Sequence, residues 1–347
     1  MNTIVRIDAP RQITMMKTDI PETPQGHALL RLHYGGICGS DLGTYKGTFL
    51  YAKYPRIPGH ELSAEIVEVG ENPYGLHPGM LVTCNPYFNC GQCYSCRRGF
   101  VNCCTDNQTM GAQREGGFST YFTMPTDRVY DAKGLDAKTL TLVEPLCISY
   151  HAVKRADVKP GERVLVVGAG TIGFMAAKIA VMAGAHVVMS DVSRYKLDHA
   201  QKLLPLAGTI LTTSVENFES NAKELTQGQG FDVCVEAVGL PSTFLNCIHA
   251  AAFRGRIVIV GIGKQSLDFF YSIIQTKELD IFGSRNALKG DFEEVISLLV
   301  NRKFDLRGVI SAVYPVKQVA QAFEDLAENS DFLKVLVDFS HEYCSNK

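Results

Sequence analysis

Hydrophobic and polar positions are arranged differently in the two halves of the chain. From residue 163 onward, short apolar runs end near glycines and are separated by mixed apolar and polar stretches. Arg163–Val167 reads as a buried strand, 171–183 as a helix and 186–190 as the next strand. Two further apolar runs, 231–239 and 255–263, read as strands, with helices expected at 215–226 and 241–253. This alternation predicts a doubly wound parallel sheet with its ligand crevice at the strand carboxyl ends. The residues before it are richer in glycine and proline and carry shorter apolar runs, which predicts short strands.

Composition narrows the class. A chain of 347 residues exceeds one compact core and suits two domains. Hydrophobic content of 46% and charged content of 20% are ordinary for a soluble globular protein. A net charge of −2 provides no basic field for nucleic acid or anionic lipid. The N-terminal stretch MNTIVRIDAPRQ carries charges where a signal peptide needs an apolar core, and no apolar run is long enough to span a bilayer. A cytoplasmic protein is expected, with neither nucleic acid nor membrane as partner. Thiols stay reduced there, so eleven cysteines point to metal or redox chemistry before disulfides.

Five of those cysteines fall in CGQCYSCRRGFVNCC. Cys90, Cys93 and Cys96 are spaced C-x2-C-x2-C, a spacing that turns thiolates inward around one tetrahedral ion, and Gly91 permits the tight backbone. Cys103 or Cys104 would supply a fourth sulfur and close the shell, making a structural zinc in a lobe of about 84–108. A redox pair needs no such set of four, and an iron–sulfur cluster uses similar spacings, so zinc is favoured over both.

The strand at 163–167 runs into Gly168, Gly170 and Gly173, spaced G-x-G-x-x-G, at the head of the next helix. Gly168 permits the tight turn, Gly170 lets a pyrophosphate approach the backbone, and Gly173 lets helix and strand pack closely. Asp191 ends the following strand, where an acid grips the adenosine ribose hydroxyls and repels a 2′-phosphate, which favours NAD over NADP. Arg194 would soften that preference, and Lys196 is placed to reach the ribose. Ser284 and Arg285, in IFGSRNAL beyond the last strand, face either the cofactor or the substrate, or solvent. Cys234 and Cys247 lie inside predicted elements and read as small core fillers.

A third constellation is scattered. Cys38 in GGICGSD, His60 in PGHE and Glu144 in LVEPLCISYHA are a thiolate, an imidazole and a carboxylate; with a fourth position open they would make a catalytic zinc site. Each also reads singly as a buried hydrophobe, a core histidine and a helix-start acid. No linear spacing brings them together.

In order along the chain, GICGSD, PGHE, the cysteine-rich lobe, EGGFSTYF, EPL and VVGAGTIG resemble the zinc-dependent medium-chain dehydrogenase/reductase family, over nearly the whole sequence. The resemblance implies an α/β chain: a GroES-like β-rich catalytic domain over 1–148, a Rossmann NAD-binding domain with a doubly wound parallel sheet over 149–285, and a segment 286–347 returning to the catalytic domain. It implies two Zn2+ ions per chain, one held by Cys38, His60 and Glu144, the other by Cys90, Cys93, Cys96 and Cys104. Glu61 would be a neighbouring acid that enters or leaves the catalytic shell. The cofactor contacts it implies are Gly168, Gly170, Thr171, Ile172, Gly173, Asp191, Arg194, Lys196, Val238, Gly261, Ile262, Ser284 and Arg285. Ser40 would accept the alcohol proton. The implied reaction is hydride transfer between NAD and a secondary alcohol of a polyol or sugar acid, such as a hexonate, in a homodimer or homotetramer. A threonine-type dehydrogenase and a catalytically silent NAD-binding protein are the alternatives.

Two departures from the family stand out. Gly43 replaces a histidine that relays the proton in many relatives, leaving water, the cofactor ribose, Tyr45 or His151 for that task. Ala64 replaces a glycine. The substrate pocket is expected to draw on Ser40, Tyr45, Phe49, Tyr54, Phe118 and Arg285, with Arg285 or Lys46 holding a carboxylate. Cys103 and Cys147 match no ligand position, and Cys344 is a free thiol in the tail.

Overall fold

A computed structural model describes residues 1–341; Cys344 lies outside them. The chain divides into two compact units, Met1–Glu144 with Leu288–Leu306 and Ile310–Lys347, and Pro145–Ala287 with Arg307–Val309. In chain order the first contains β1 (Asn2–Ala9), β2 (Gln12–Thr18), β3 (His27–Ile37), α1 (Gly39–Lys46), β4 (Glu61–Val69), β5 (Leu81–Cys84), β6 (Tyr87–Phe88), α2 (Tyr94–Arg97), β7 (Gln108–Thr109), β8 (Tyr121–Pro125), β9 (Val129–Asp131) and α3 (Ala137–Thr141). The helix α4 (Val143–Ala156) carries the chain into the second, which contains β10 (Arg163–Val167), α5 (Thr171–Met182), β11 (His186–Asp191), α6 (Arg194–Leu203), β12 (Gly208–Leu211), α7 (Val215–Leu225), β13 (Phe231–Glu236), α8 (Pro241–Ala250), β14 (Ala251–Ile259), α9 (Ser272–Thr276) and β15 (Asp280–Gly283). The first unit then resumes with α10 (Lys289–Val300), β16 (Ile310–Pro315), α11 (Val319–Glu328) and β17 (Lys334–Asp338).

The first unit is built on a mixed sheet of order β16-β17-β3-β4-β5-β9, with β8 also pairing β3, and carries two antiparallel pairs, β1 with β2 and β6 with β7. Its core gathers Leu30, Leu32, Leu62, Ile66, Phe118, Phe323 and Phe339, all fully buried. Phe118 lies over the backbone of Gly35 and Gly59: a Cβ at either would come within 2.3 Å of its ring. Truncating such a ring to alanine costs about 3–5 kcal/mol. Ala64 pairs with Leu32 across β3 and β4, and its methyl group is buried in this core. At α1, the Asp41 carboxylate reaches back to accept the Cys38 N–H at 3.0 Å, and Gly47 ends the helix at φ 73°.

The second unit is a six-stranded parallel sheet of order β12-β11-β10-β13-β14-β15. The strand order reverses about β10, and the glycine-rich loop leaves its carboxyl end. Leu165, Cys234, Cys247 and Ile257 are fully buried between sheet and helices, and Cys147 is equally buried in α4.

Three boundaries differ from the sequence expectation. The helix expected to reach 253 stops at Ala250, because Ala251 already pairs with Phe231 and β14 passes through an irregularity, with Arg254 at φ 62°, before its main register. The strand expected at 231–239 stops at Glu236, whose side chain turns the chain by accepting the N–H groups of Val238 and Gly239 at 2.9 and 2.8 Å. The strand expected at 255–263 ends at Ile259, after which Val260 and Gly261 donate to the Glu236 carbonyl.

Candidate metal centres and nucleotide site

The lobe gathers its sulfurs within one short excursion of chain. Cys90 follows β6, Gly91 turns at φ 74°, Cys93 precedes α2, Cys96 lies within it, and Cys104 follows a single 3-10 turn. The four Sγ atoms lie within 4.8 Å of one another. Cys104 is fully buried and Cys103 is exposed, so the structure brings Cys104, and not its neighbour, into the set. Backbone N–H groups point at the sulfurs: Cys90 N–H donates to Cys104 Sγ at 3.2 Å and Cys93 N–H to Cys90 Sγ at 3.3 Å. Such donors favour thiolates; those of Gln92 and Cys93 lower the Cys90 pKa, and those of Thr105 and Cys96 bring Cys93 down to about 5. Burial instead pushes the Cys104 thiol up to about 11, and the four convergent sulfurs fit a closed tetrahedral zinc shell. All ten cysteines among the described residues are free of disulfides.

The second cluster comes from three elements of the same unit. Cys38 sits at the head of α1, His60 in the loop before β4, and Glu61 is the first residue of β4; one ligand atom of each lies within 4.8 Å of the others. Gly36 faces Glu61 across β3 and β4, and a Cβ there would lie 2.1 Å from Glu61 Oε2, so the glycine leaves the room this carboxylate occupies. Glu61 Oε1 accepts from Lys334 Nζ, which also donates to the Ile37 carbonyl. Glu61 Oε2 and His60 Nδ1 are buried and have no hydrogen-bond partner. Glu144 is buried close by and accepts from the Tyr87 hydroxyl, but it does not join the mutual set. Ser40 is half-buried in the first turn of α1.

The electrostatics of this cluster suit a cation. Burial alone would lower the His60 pKa, but the carboxylate of Asp41, whose Oδ2 lies 3.8 Å from Nδ1, and the Cys38 thiol hold it well above its ordinary value. Burial pushes Glu144 up to about 7, and Glu61 adds to the rise while His60 opposes it. Asp41, Glu61, Glu144 and a thiol thus converge beside a single lysine, an excess of acidic groups that a divalent cation would offset. Two unpartnered buried ligand atoms beside a thiol fit zinc with a position left for a further ligand.

In the second unit, Gly168 turns at φ 101°, and a Cβ on Gly173 would lie 1.8 Å from the Gly168 carbonyl oxygen. Gly170, at the head of α5, has nothing within 4 Å of where its Cβ would stand, so the approach to the helix N-terminus, which begins with Thr171 and Ile172, is open. Asp191 accepts the Ala169 N–H at 2.6 Å and the Ser193 N–H at 2.8 Å. Arg194 is exposed and 4.0 Å from Asp198, and Lys196 is half-buried. Val238 and Ile262 are apolar and exposed at the strand ends, and a Cβ on Gly261 would lie 2.1 Å from Gly239 N. Ser284 Oγ is buried without a partner, while Arg285 is exposed. An open glycine cradle with an acid at the next strand end fits a dinucleotide.

Comparison with known proteins agrees with this geometry. Residues 24–134 match the alcohol dehydrogenase GroES-like domain and residues 171–301 the zinc-binding dehydrogenase domain. L-galactonate-5-dehydrogenase of Escherichia coli strain K12 is 34% identical over 98% of this chain and 99% of its own length. The chain belongs to the zinc-dependent medium-chain dehydrogenase/reductase family. Galactitol-1-phosphate dehydrogenase from Escherichia coli superposes with a TM-score of 0.88 at 29% identity, covering 97% of this chain and 99% of that one. A short chain alcohol dehydrogenase from Escherichia coli CFT073 complexed with NADH superposes at 0.90 with 27% identity and the same coverage. This likeness supports an oxidoreductase acting on a small molecule, with GroES-like and Rossmann-type folds. Among the described residues, no helix is long and apolar enough to cross a membrane.

Several pocket expectations for this dehydrogenase are corrected. Tyr45 is packed in the core against Phe323, with ring centroids 5.4 Å apart, and Phe118 lies in the same core against Phe339; neither ring is exposed to a substrate. Core packing took both because each sits opposite another large apolar ring. Tyr54 donates its hydroxyl to the Thr44 carbonyl at the end of α1, and Lys46 gives one N–H of its ammonium to the Ala327 carbonyl at 3.0 Å. At Gly43 a Cβ would press on Phe49 at 3.2 Å, so the relay histidine of relatives has no ready space here. Asp41, Tyr87, Glu236 and Lys334 were not anticipated as site residues, although the first three lie in stretches already singled out, GICGSD, the lobe of 84–108 and the apolar run 231–239.

Proposed function

We propose that the protein is a zinc-dependent, NAD(H)-dependent dehydrogenase that interconverts a secondary alcohol of a polyol or sugar acid and the corresponding ketone. The observation that carries this reading is the buried set of Cys38, His60 and Glu61, with ligand atoms left unpartnered beside a thiol. Bound zinc would polarise the substrate oxygen, and bound NAD would take up or return the hydride. Cys38, His60 and one of Glu61 and Glu144 would hold that ion, and Cys90, Cys93, Cys96 and Cys104 the structural one. Ser40 Oγ takes the hydroxyl proton and passes it to water or to the cofactor ribose, since position 43 offers no side chain. Gly168, Gly170, Thr171, Ile172 and Gly173 receive the pyrophosphate, Asp191 and Lys196 the adenosine ribose, and Val238, Gly261, Ile262, Ser284 and Arg285 the nicotinamide half.

A sugar acid is placed ahead of a neutral polyol because L-galactonate-5-dehydrogenase is similar over nearly the full length of both chains. The catalytic domain is assigned to 1–148, the cofactor domain to 149–285 and the returning segment to 286–347, in a cytoplasmic homodimer or homotetramer. A panel of hexonates, polyols and threonine, run with NAD+ and NADP+ side by side, tests the reading. Cys38→Ala and His60→Ala are expected to abolish turnover and keep NADH binding. Alcohol oxidation that survives either change would refute it.

A further inference from the structure

The stretch Tyr87–Asn89 touches both metal centres' surroundings. Tyr87 lies in β6, three residues before the first ligand of the cysteine set, and is 6% exposed; Glu144 is 3% exposed. Its hydroxyl donates to Glu144 Oε1. The Tyr87 backbone is fixed at both ends: its N–H donates to Asn85 Oδ1 at 3.0 Å, and its carbonyl accepts from Arg128 Nη1. The other terminal nitrogen of Arg128 donates to Asn89 Oδ1 at 2.9 Å, and Asn89 Nδ2 reaches Cys96 Sγ at 3.7 Å. Between them, Phe88 is met by the guanidinium groups of Arg114 and Arg128, 3.6 and 4.6 Å from its ring centroid. One short run of backbone therefore connects a sulfur of the cysteine set to a carboxylate beside Cys38, His60 and Glu61.

We infer that Tyr87 is a positioning residue of the Cys38–His60 centre: Asn85 and Arg128 hold its backbone, and its hydroxyl fixes the carboxylate of Glu144. A carboxylate with one oxygen tied down has lost a rotational choice, so its other oxygen is presented to the centre at a smaller entropic cost. Glu144 stands outside the mutual ligand set here, and the Tyr87 hydroxyl holds its Oε1. The lobe thereby acquires a role at the centre beyond stabilising its own loop.

The inference rests on the metal reading of Cys38 and His60, and its test separates the two. Cobalt(II) replaces zinc in the full-length protein, and the visible band lost in Cys38→Ser is assigned to the Cys38–His60 centre. In Tyr87→Phe that band is expected to shift, and this cobalt to be lost to a chelator about 10–100-fold more readily, as for removal of a residue that orients a ligand. The thiolate-to-cobalt bands of the four-cysteine set stay unchanged. In the Glu144→Gln background, Tyr87→Phe adds nothing further. An unshifted band with wild-type retention overturns the inference alone. So does a variant that also loses the lobe ion or fails to fold, or a deficit that multiplies with that of Glu144→Gln, since each makes Tyr87 a support of the lobe only. A wild-type protein with no Cys38-dependent band overturns the metal reading beneath it as well.

Discussion

Lys334 Nζ lies 2.5 Å from Glu61 Oε1, with side chains 4% and 1% exposed, joining β17 to the head of β4. Burial opposes the charge on Lys334, but the carboxylate of Glu61 outweighs it and holds the ammonium above its ordinary pKa. The remaining oxygen of Glu61 is unpartnered. The pair thus anchors one end of the carboxylate and leaves the other free for a ligand.

Removing one member of a buried pair strands the other charge. Lys334→Met is expected to destabilise the chelator-treated protein by about 3–5 kcal/mol in urea denaturation. Restoring zinc should shrink that deficit, because the ion gives Glu61 a new partner. A deficit equal with and without zinc would mean that Glu61 does not face the ion.

The two neighbouring cysteines of the lobe should separate cleanly. Cys93→Ser breaks the set of four, and metal analysis should find one zinc per chain against an expected two in the wild type. The melting temperature falls as well, by roughly 2–4 °C for each kcal/mol lost. Cys103→Ser changes an exposed thiol and should keep both ions and the wild-type melting temperature. A Cys93→Ser protein that retains both zincs would remove the cage assignment.

The parts of the site readable from sequence were those whose chemistry is local. The spacing of Cys90, Cys93 and Cys96 and the steric needs of Gly168 and Gly173 are satisfied within a few residues of chain, so a linear pattern carries them. Lys334 meets Glu61 across 273 positions and Tyr87 meets Glu144 across 57, and no short window holds either relationship. Tyr45 and Phe118 misled for the opposite reason: Tyr45 closely follows the Cys38 motif and Phe118 stands in EGGFSTYF, but both rings pack into the core, against Phe323 and Phe339. Gly36 shows how the two kinds of information meet, because its glycine is legible as a motif and its cause, the nearby Glu61 carboxylate, appears only across the strands.

Asp136 caps α3, just ahead of the helix that bears Glu144, accepting the Thr139 N–H at 3.0 Å and its hydroxyl at 2.6 Å. Burial would raise its pKa, but these bonds outweigh it and hold the carboxyl below the ordinary 3.8. A depressed carboxyl contributes stability that is present above its unfolded value and lost as the pH falls through its folded value. Asp136→Ala should therefore cost about 1 kcal/mol at neutral pH. Asp136→Asn keeps a capping oxygen but cannot titrate, so the advantage of the wild type over it should fade below pH 3.8. Urea midpoints measured across that range check the slope; a constant difference between the two proteins would deny the carboxylate its part in the cap.

Asp191 decides the expected cofactor preference. Both carboxylate oxygens are already engaged by backbone N–H groups, Ala169 in the glycine loop and Ser193 before α6, so the charge is held rigidly at the end of β11. A fixed carboxylate accepts ribose hydroxyls well and repels a 2′-phosphate. Arg194, three residues on, has a side chain 60% exposed and lies 4.0 Å from Asp198, a surface pair worth little and easily broken. Asp191→Ala removes the charge-assisted bonds, each worth about 1.5–3 kcal/mol. The expected result is a loss of roughly 10–100-fold in kcat/KM with NAD+ for each such bond. With NADP+ the loss should be much smaller, because the repulsion disappears together with the bonds and Arg194 becomes available to the phosphate. The ratio of kcat/KM for the two cofactors is the quantity to measure. If it is the same in wild type and variant, the preference is set elsewhere in the cofactor unit, and Asp191 serves only to fold the glycine loop.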